Sequence, residues 1–468
     1  MNATIAQHPI VWTVDEAAAL LQPADPHLNI LLLADDSHPA DAVRDHVCSI
    51  SQQSRHRVTV INPIRYRKGW LVGLLDYDVI LIHYSISILF DYYLPAPVAA
   101  AVKRFPGPKI QIIQDECRWV DRMTGRMAEI GIDAVFSSLT PENVRRTYHH
   151  EHVAGFRFVS GLPGYISSRL REMDTPPLAD RPFDLVYRGR PLPIWLGRFG
   201  QEKAEIGSQA LRMAERYGLK ADCDTREEAR VYGTKWNDLL IRGRAALATE
   251  GGATVFDFDG TIEEGVADYR RRNPYASDDE VWNAVVRPHE GNVVHKTITP
   301  RVFEAIMCRT ALVMYPGDYR GILQQWEHYI PLERDGSNEA EVVERLKDVP
   351  YLTQLAERAY ERVAMDPALL FESYVRALDS VANRLLAERG PVPKRHRALL
   401  TSLVGFPLVR DGLSRVEREL SDFKNVHTPA GKAFYMTNQW IVLAKRLLAG
   451  LVPGRNTTSL SDAEKSKE

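Results

Sequence analysis

Six short apolar runs, spaced by polar or helical stretches, constrain the fold of this chain more than any other feature. They are LNILLLAD (28–35), RVTVIN (57–62), YDVILIHYS (77–85), PKIQIIQD (108–115), IDAVFSS (132–138) and FRFVSG (156–161). Each has the length of a strand and is apolar on both alternating faces, so both faces must be covered. A helical stretch around 39–53 follows the first run. Strand–helix alternation of this kind implies a parallel sheet with helices above and below, a Rossmann-like domain. The Pro-rich MDTPPLADRP (173–182) reads as a linker. Alternation then restarts with FDLVYRGR (183–190), a helix near 200–217, LKADCD (219–224), RAALATE (244–250) and TALVMYP (310–316). Two such sheets in tandem predict two Rossmann-like domains facing each other across a cleft.

The remaining boundaries follow from pattern shifts. Residues 1–27 are expected to be an N-terminal extension, 28–175 the first domain, and 183–389 the second domain with closing helices. PVPKRH (391–396) marks a second break. Beyond it, 391–468 reads as a basic, amphipathic helical tail with a disordered end at NTTSLSDAEKSKE. RALLTSLVGFPLVRDGLSRV and QWIVLAKRLLAG mix Leu, Phe and Trp with Arg and Lys, as interfacial helices do. Residues 397–455 are therefore expected either to contact anionic membranes peripherally or to pack on the body of the protein.

Composition narrows the function classes. The 468 residues suffice for two or three domains with proper cores, and a net charge of −2 gives no global case for nucleic-acid binding. Four scattered cysteines without a Cys-x-x-Cys pair argue against a zinc site or a disulfide framework and fit a reducing cytoplasm. The N-terminus lacks a basic region followed by an apolar run, and no stretch is apolar for long enough to span a bilayer. The expected location is cytoplasmic.

One motif pulls the other way. ATVFDFDGTIEEG (253–265) matches the Asp-x-Asp-Gly-Thr signature of haloacid dehalogenase phosphatases, with Asp257 as nucleophile and Asp259 as general acid around Mg²⁺. Such an enzyme needs a buried strand before its first Asp, and here Gly251 and Gly252 interrupt the run. It also needs a second acidic motif, and GDYRGI (317–322) has Ile322 where the second Asp belongs. The simpler expectation is that Asp257 and Asp259 cap the following helix.

The neighbours of that motif carry a resemblance. RVFEAIMCRTALVMYP (301–316), EHYIPLERDGSNEAEVVERL (327–346), DLVYRGRPLPIWLGRFGQEKAEIG (184–207), IQDECRWVD (113–121) and TEGGATVFDFDG (249–260) together resemble group 1 glycosyltransferases of the GT-B fold. In particular they are similar to the CgeB-like, or spore-maturation-like, branch, over roughly residues 28–385. The resemblance implies a metal-independent transferase without a cofactor, in bacterial surface-polysaccharide synthesis. It would move a sugar from a nucleoside-diphosphate donor to a glycan or lipid-linked acceptor. It places Glu304 in the inter-domain cleft. Two positions depart from the pattern: Lys296 stands where a second Glu is common, and Arg309 follows Cys308 where small residues are usual.

Physical chemistry assigns the same residues. A diphosphate leaving group needs cations and helix N-terminal N–H groups. YRGR ends a strand and GQEKAEIG opens a helix, so Arg190 offers a planar fork and Lys203 a mobile charge, with Arg188 and Arg198 as alternates. Glu304 is suited to both hydroxyls of a ribose, and Glu250 and Arg301 complete the donor-binding set. On the acceptor side, strand exits carry ligand loops. His83 follows DVILI and Asp115 follows KIQII. Asp115 is the stronger candidate base, and His83 reads equally as a hydrogen-bonded structural histidine. Retention or inversion is left open. Two alternatives remain beside the transferase: the phosphatase centred on Asp257, and a non-catalytic nucleotide- or glycan-binding protein on the same fold.

Overall fold

The computed structural model describes residues 9–393, apart from 70–71, 73–75, 149–152 and 154. Of the expected tail, 391–468, everything from 394 on, and with it the proposed membrane segment 397–455, lies outside the described residues.

All six expected strands of the first domain form. They are β2 (Asn29–Leu33), β3 (Arg57–Ile61), β4 (Val79–Ile82), β5 (Lys109–Ile112), β6 (Ala134–Ser137) and β7 (Arg157–Ser160). A seventh, β1 (Ile10–Thr13), comes from the segment expected to be an extension. It pairs in parallel with β7, and Thr13 then caps the helix Val14–Ala19 in a reciprocal capping box with Glu16. The sheet order is β1-β7-β6-β5-β4-β2-β3, every pairing parallel.

The second sheet contains β8 (Phe183–Arg188), β9 (Ala221–Asp224), β10 (Gly243–Ala248), β13 (Ala311–Met314) and β14 (Ile330–Pro331). Its order is β14-β13-β10-β8-β9, again all parallel. Two short strands, β11 (Gly251–Ala253) and β12 (His295–Thr297), form a separate antiparallel ribbon. The molecule is thus α/β, with two halves each built on a parallel, Rossmann-like sheet.

Each sheet is buried on both faces, as its apolar strands require. One face of the first sheet packs on the helices Val14–Ala19, Asp41–Gln53 and Phe371–Arg389. That last helix was expected to close the second domain. It instead seats Phe371, Tyr374, Val375, Leu378, Val381 and Leu385 among the side chains of the first sheet. At roughly 1.5–3 kcal/mol for each large buried side chain, this contact decides which half the helix belongs to. A buried polar anchor fixes its height: Asp379 accepts from Ser54 Oγ (2.6 Å) and from the Arg55 N–H (2.9 Å). The linker is also anchored. Arg181, 2% exposed, donates to the Gly243 and Cys308 carbonyls and to Thr310 Oγ1 at 2.7–2.9 Å.

Residues 254–294, between β11 and β12, belong to the second half by sequence but dock on the first. Phe256 and Val293 are buried in the other core of the first sheet. Arg118 holds Glu263 through two bonds of 2.7 Å. Asp257 N–H donates to the Cys117 carbonyl (2.8 Å), and Asp121 N–H to the Phe258 carbonyl (2.9 Å).

Candidate functional site

The carboxyl ends of the two sheets supply the residues of the cleft. On the second half, β8 exits through Arg188-Gly189-Arg190. A Cβ on Gly189 would lie 2.2 Å from Tyr187 Oη. Only glycine lets Tyr187 fold beneath this turn, where its hydroxyl donates to the Lys203 carbonyl (2.6 Å). That bond ties the strand exit to the start of the helix Glu202–Tyr217.

Lys203 is half-buried in the first turn of that helix. Burial lowers its pKa, and the nearby Arg301 and Arg190 lower it further, while Asp115 opposes the shift from across the cleft. Among the described residues, no carboxylate forms an ion pair with Arg190, Lys203 or Arg301. Arg301 opens the helix Pro300–Met307, donates to the Arg188 carbonyl (2.6 Å) and lies over the Trp236 ring. Three cations from three segments therefore lie within electrostatic reach of one another by a helix N-terminus, an arrangement suited to an anion.

Arg188 and Arg198 do not join them. Arg188 is turned away to Asp222 (2.6 Å) on β9, and Arg198 pairs with Asp279 (2.7 Å) while covering the Trp282 ring. Arg188, expected in the donor-binding set, is satisfied instead by a carboxylate on the neighbouring strand.

Glu304 is buried one turn along from Arg301, and burial raises its pKa. Its Oε2 accepts from Trp236 Nε1 at 2.8 Å. One carboxylate oxygen is thus already engaged, which leaves Oε1 as the unengaged oxygen for the expected ribose hydroxyls. Trp236, on the helix Thr234–Arg242, was missed by sequence reasoning; it orients Glu304 and backs Arg301. Glu250 is buried and accepts from the Tyr319 N–H (3.0 Å), and a Cβ on Gly317 would come within 2.6 Å of its Oε2. Glu250 shapes the turn after β13 and has Lys296 as an electrostatic neighbour. Arg309 lies outside the cleft, paired with Glu357 and stacked on Tyr360.

On the first half, Asp115 leaves β5 exposed and in left-handed backbone (φ 56°), which Asp tolerates better than most residues. Glu116 beside it is buried. It accepts from Tyr148 Oη (2.7 Å) and Ser137 Oγ (2.8 Å), and burial pushes its pKa up to about 7. His83 is fully buried, with Nδ1 against Ser85 Oγ (2.8 Å) and Nε2 against His46 Nδ1 (3.0 Å). Burial, then the neighbouring His46, hold its pKa well below the usual range. Both nitrogens are engaged away from solvent, so the structural alternative for His83 is correct and its role as a base is withdrawn.

The phosphatase site is absent as well. Asp257 is fully buried and accepts from the N–H groups of Gly260 (2.9 Å), Glu263 (3.0 Å) and Ile262 (3.4 Å), capping the helix Thr261–Arg272. Asp259 accepts from Thr261 N–H (2.9 Å) and Oγ1 (2.6 Å). The preceding strand β11 belongs to an antiparallel ribbon, not to a parallel sheet whose end could present a nucleophile.

No protein-family model and no curated protein matches the sequence. Among solved structures, T4 phage BGT with its UDP-glucose substrate is similar at 11% identity and TM-score 0.43, over 78% of this chain and 99% of that one. An alpha-glucosyltransferase in complex with UDP and DNA gives 9% and 0.43 over 72% and 95%, and AviGT4, a glycosyltransferase of avilamycin A biosynthesis, gives 15% and 0.40 over 77% and 98%.

Proposed function

We propose that the chain is a glycosyltransferase using a nucleoside-diphosphate sugar. The observation that carries this reading is that Lys203 and Arg301 are both tied to the β8 exit that bears Arg190, at the start of the helix Glu202–Tyr217, with no ion-pairing carboxylate among the described residues. The three cations hold the diphosphate. In the transfer, the bond from the sugar anomeric carbon to the diphosphate oxygen breaks and its electron pair stays on the diphosphate. The acceptor oxygen bonds to the anomeric carbon, and Asp115 takes the acceptor proton. Charge grows on the diphosphate as that bond breaks, so fixed cations favour the transition state over the resting complex. Glu304, held by Trp236, offers its other oxygen to the ribose.

The CgeB-like assignment, a glycan or lipid-linked acceptor, a role in surface-polysaccharide synthesis and a cytoplasmic site at the inner face of a membrane belong to the same proposal. Among the described residues, no helix is long and apolar enough to cross a membrane. Peripheral contact through 397–455 is tested by flotation of the full chain with anionic and neutral vesicles, where equal recovery excludes it. The test of the activity is calorimetric titration of UDP and GDP into the wild type and the Arg190→Ala, Lys203→Ala and Glu304→Gln variants. Affinity should fall in the variants, and unchanged affinity in all three removes the donor from this cleft. Single-turnover transfer from whichever donor binds then separates an enzyme from a binding protein.

A further inference from the structure

A second polar cluster lies on the β11–β12 ribbon and the turn packed against it, away from Arg190, Lys203 and Arg301. His295 and Thr297 share the buried face of β12 and are 8% and 4% exposed. His295 Nδ1 and Thr297 Oγ1 have no hydrogen-bond partner. The turn Tyr319–Gly321 packs against this strand and brings Arg320 beside them, in left-handed backbone (φ 58°). Arg320 is an electrostatic neighbour of His295. Its hydrogen bond among the described residues runs from Nη1 to the Ser138 carbonyl at 3.5 Å, the outer limit for such a bond. Ser138 follows β6, so the cluster spans the two halves.

Buried polar groups in native proteins are almost always satisfied, and each one left bare costs stability. Water could serve the imidazole and the hydroxyl. The guanidinium is half-buried and forms no ion pair among the described residues; Tyr165 and the exposed Asp318 act on it electrostatically without pairing with it. Burial and Arg320 hold the pKa of His295 at about 4, so the ring is neutral near pH 7 and can donate from one nitrogen. The cluster thus offers one fixed cation and two neutral donors.

We propose that His295, Thr297 and Arg320 form an oxyanion subsite that takes a carboxylate or phosphate group. The subsite stands on its own geometry. The further step, that the group is borne by a sugar and the enzyme handles an acidic saccharide, rests on the transferase reading.

The test follows the His295 ring nitrogens of the full-length protein by long-range proton–nitrogen spectra, assigned with His295→Gln. Inorganic phosphate and acetate should each shift them saturably at constant ionic strength. Arg320→Gln should weaken this response about ten- to hundred-fold, the loss typical of a charge-assisted bond, and Arg320→Lys should restore part of it. Absence of a saturable shift in the wild type, or the same shift in Arg320→Gln, overturns the proposal and leaves the cluster to water. If Arg320→Gln does not fold, Thr297→Val gives the comparison, with a weaker response expected and an equal one refuting. UDP titration is run in parallel: failure of UDP to bind while phosphate shifts His295 sinks the donor reading alone. A larger His295 shift with UDP-glucuronate than with UDP-glucose assigns the acidic group to the donor. A shift with glucuronate only when UDP is present assigns it to the acceptor.

Discussion

Replacing Asp257 by Ala separates a helix cap from a nucleophile. Three backbone N–H groups at the start of the helix Thr261–Arg272 point at its carboxylate, two of them at 2.9 and 3.0 Å. The third, at 3.4 Å, contributes less. Bonds to a charged group are worth about 1.5–3 kcal/mol each, and loss of a cap in comparable proteins costs about 0.5–2 kcal/mol. With the site fully buried, a local loss of about 3 kcal/mol is expected, near the sum of one strong bond and a cap. Global melting is a poor reporter in a chain with two sheets, so the readout is amide exchange. The amides of Gly260, Ile262 and Glu263 should exchange about a hundred-fold faster in Asp257→Ala, since every 1.4 kcal/mol is tenfold. Asp257→Asn keeps an acceptor oxygen and should give a smaller change. Both proteins, like the wild type, should show only background Mg²⁺-dependent hydrolysis of p-nitrophenyl phosphate. Wild-type hydrolysis that Asp257→Asn abolishes, with exchange at these amides unchanged, would refute the cap.

Four further outcomes are expected. Arg190→Ala and Lys203→Ala should each slow single-turnover transfer roughly a hundred- to thousand-fold, the cost of one contact to a leaving group, with smaller losses in nucleotide affinity. Glu304→Gln should do the reverse in the same titrations, weakening UDP more than it slows chemistry, because the ribose is remote from the bond that breaks. Burial raises the Glu116 pKa from the ordinary 4.5 to about 7, so the folded state binds the proton more tightly than the unfolded state. Stability should therefore fall by about 3 kcal/mol as pH rises from 4.5 to 7 and level off above that, a slope absent from denaturation curves of Glu116→Gln. Asp379→Ala frees Ser54 and the Arg55 N–H beneath the helix Phe371–Arg389 and should cost about 2–3 kcal/mol in urea unfolding.

The elements legible in the sequence were those whose signal is local. The β2–β7 runs are apolar on both faces because helices cover both, and that pattern needs no knowledge of the partner. Strand β1 is four residues, IVWT, too short for alternation to announce it. Strands β11, β12 and β14 are two or three residues long, below any periodicity. The site divides the same way. Arg190 and Lys203 stand out as candidates because a strand exit and a helix start are visible in sequence. Trp236 reaches Glu304 across 68 residues, and Arg188 is claimed by Asp222 on a strand 34 residues away. Nothing local announces either contact. His83 shows the limit most plainly: a histidine at a strand exit looks like a base until its neighbours His46 and Ser85 are seen to occupy both nitrogens.

The geometry around Asp115 depends on both halves of the chain. Asp115 and Trp119 both adopt left-handed backbone, at φ 56° and 52°, which is costly for a bulky residue such as Trp. Such strain persists only where the surroundings over-determine it. Beneath the loop, Glu116 is held by Ser137 and Tyr148 of the first half. Beside it, Cys117 and Val120 bond the backbone of Asp257, whose own side chain is locked to a helix of the second half. Trp119 lies between, with the Arg118 guanidinium 4.0 Å from its ring centre and clamped in turn by Glu263. The aspartates that mimic a phosphatase signature therefore act through packing. They carry the 254–294 segment of the second half onto the loop that presents Asp115, and so the position of the Asp115 carboxylate is set by residues that follow the strands of the second sheet in sequence.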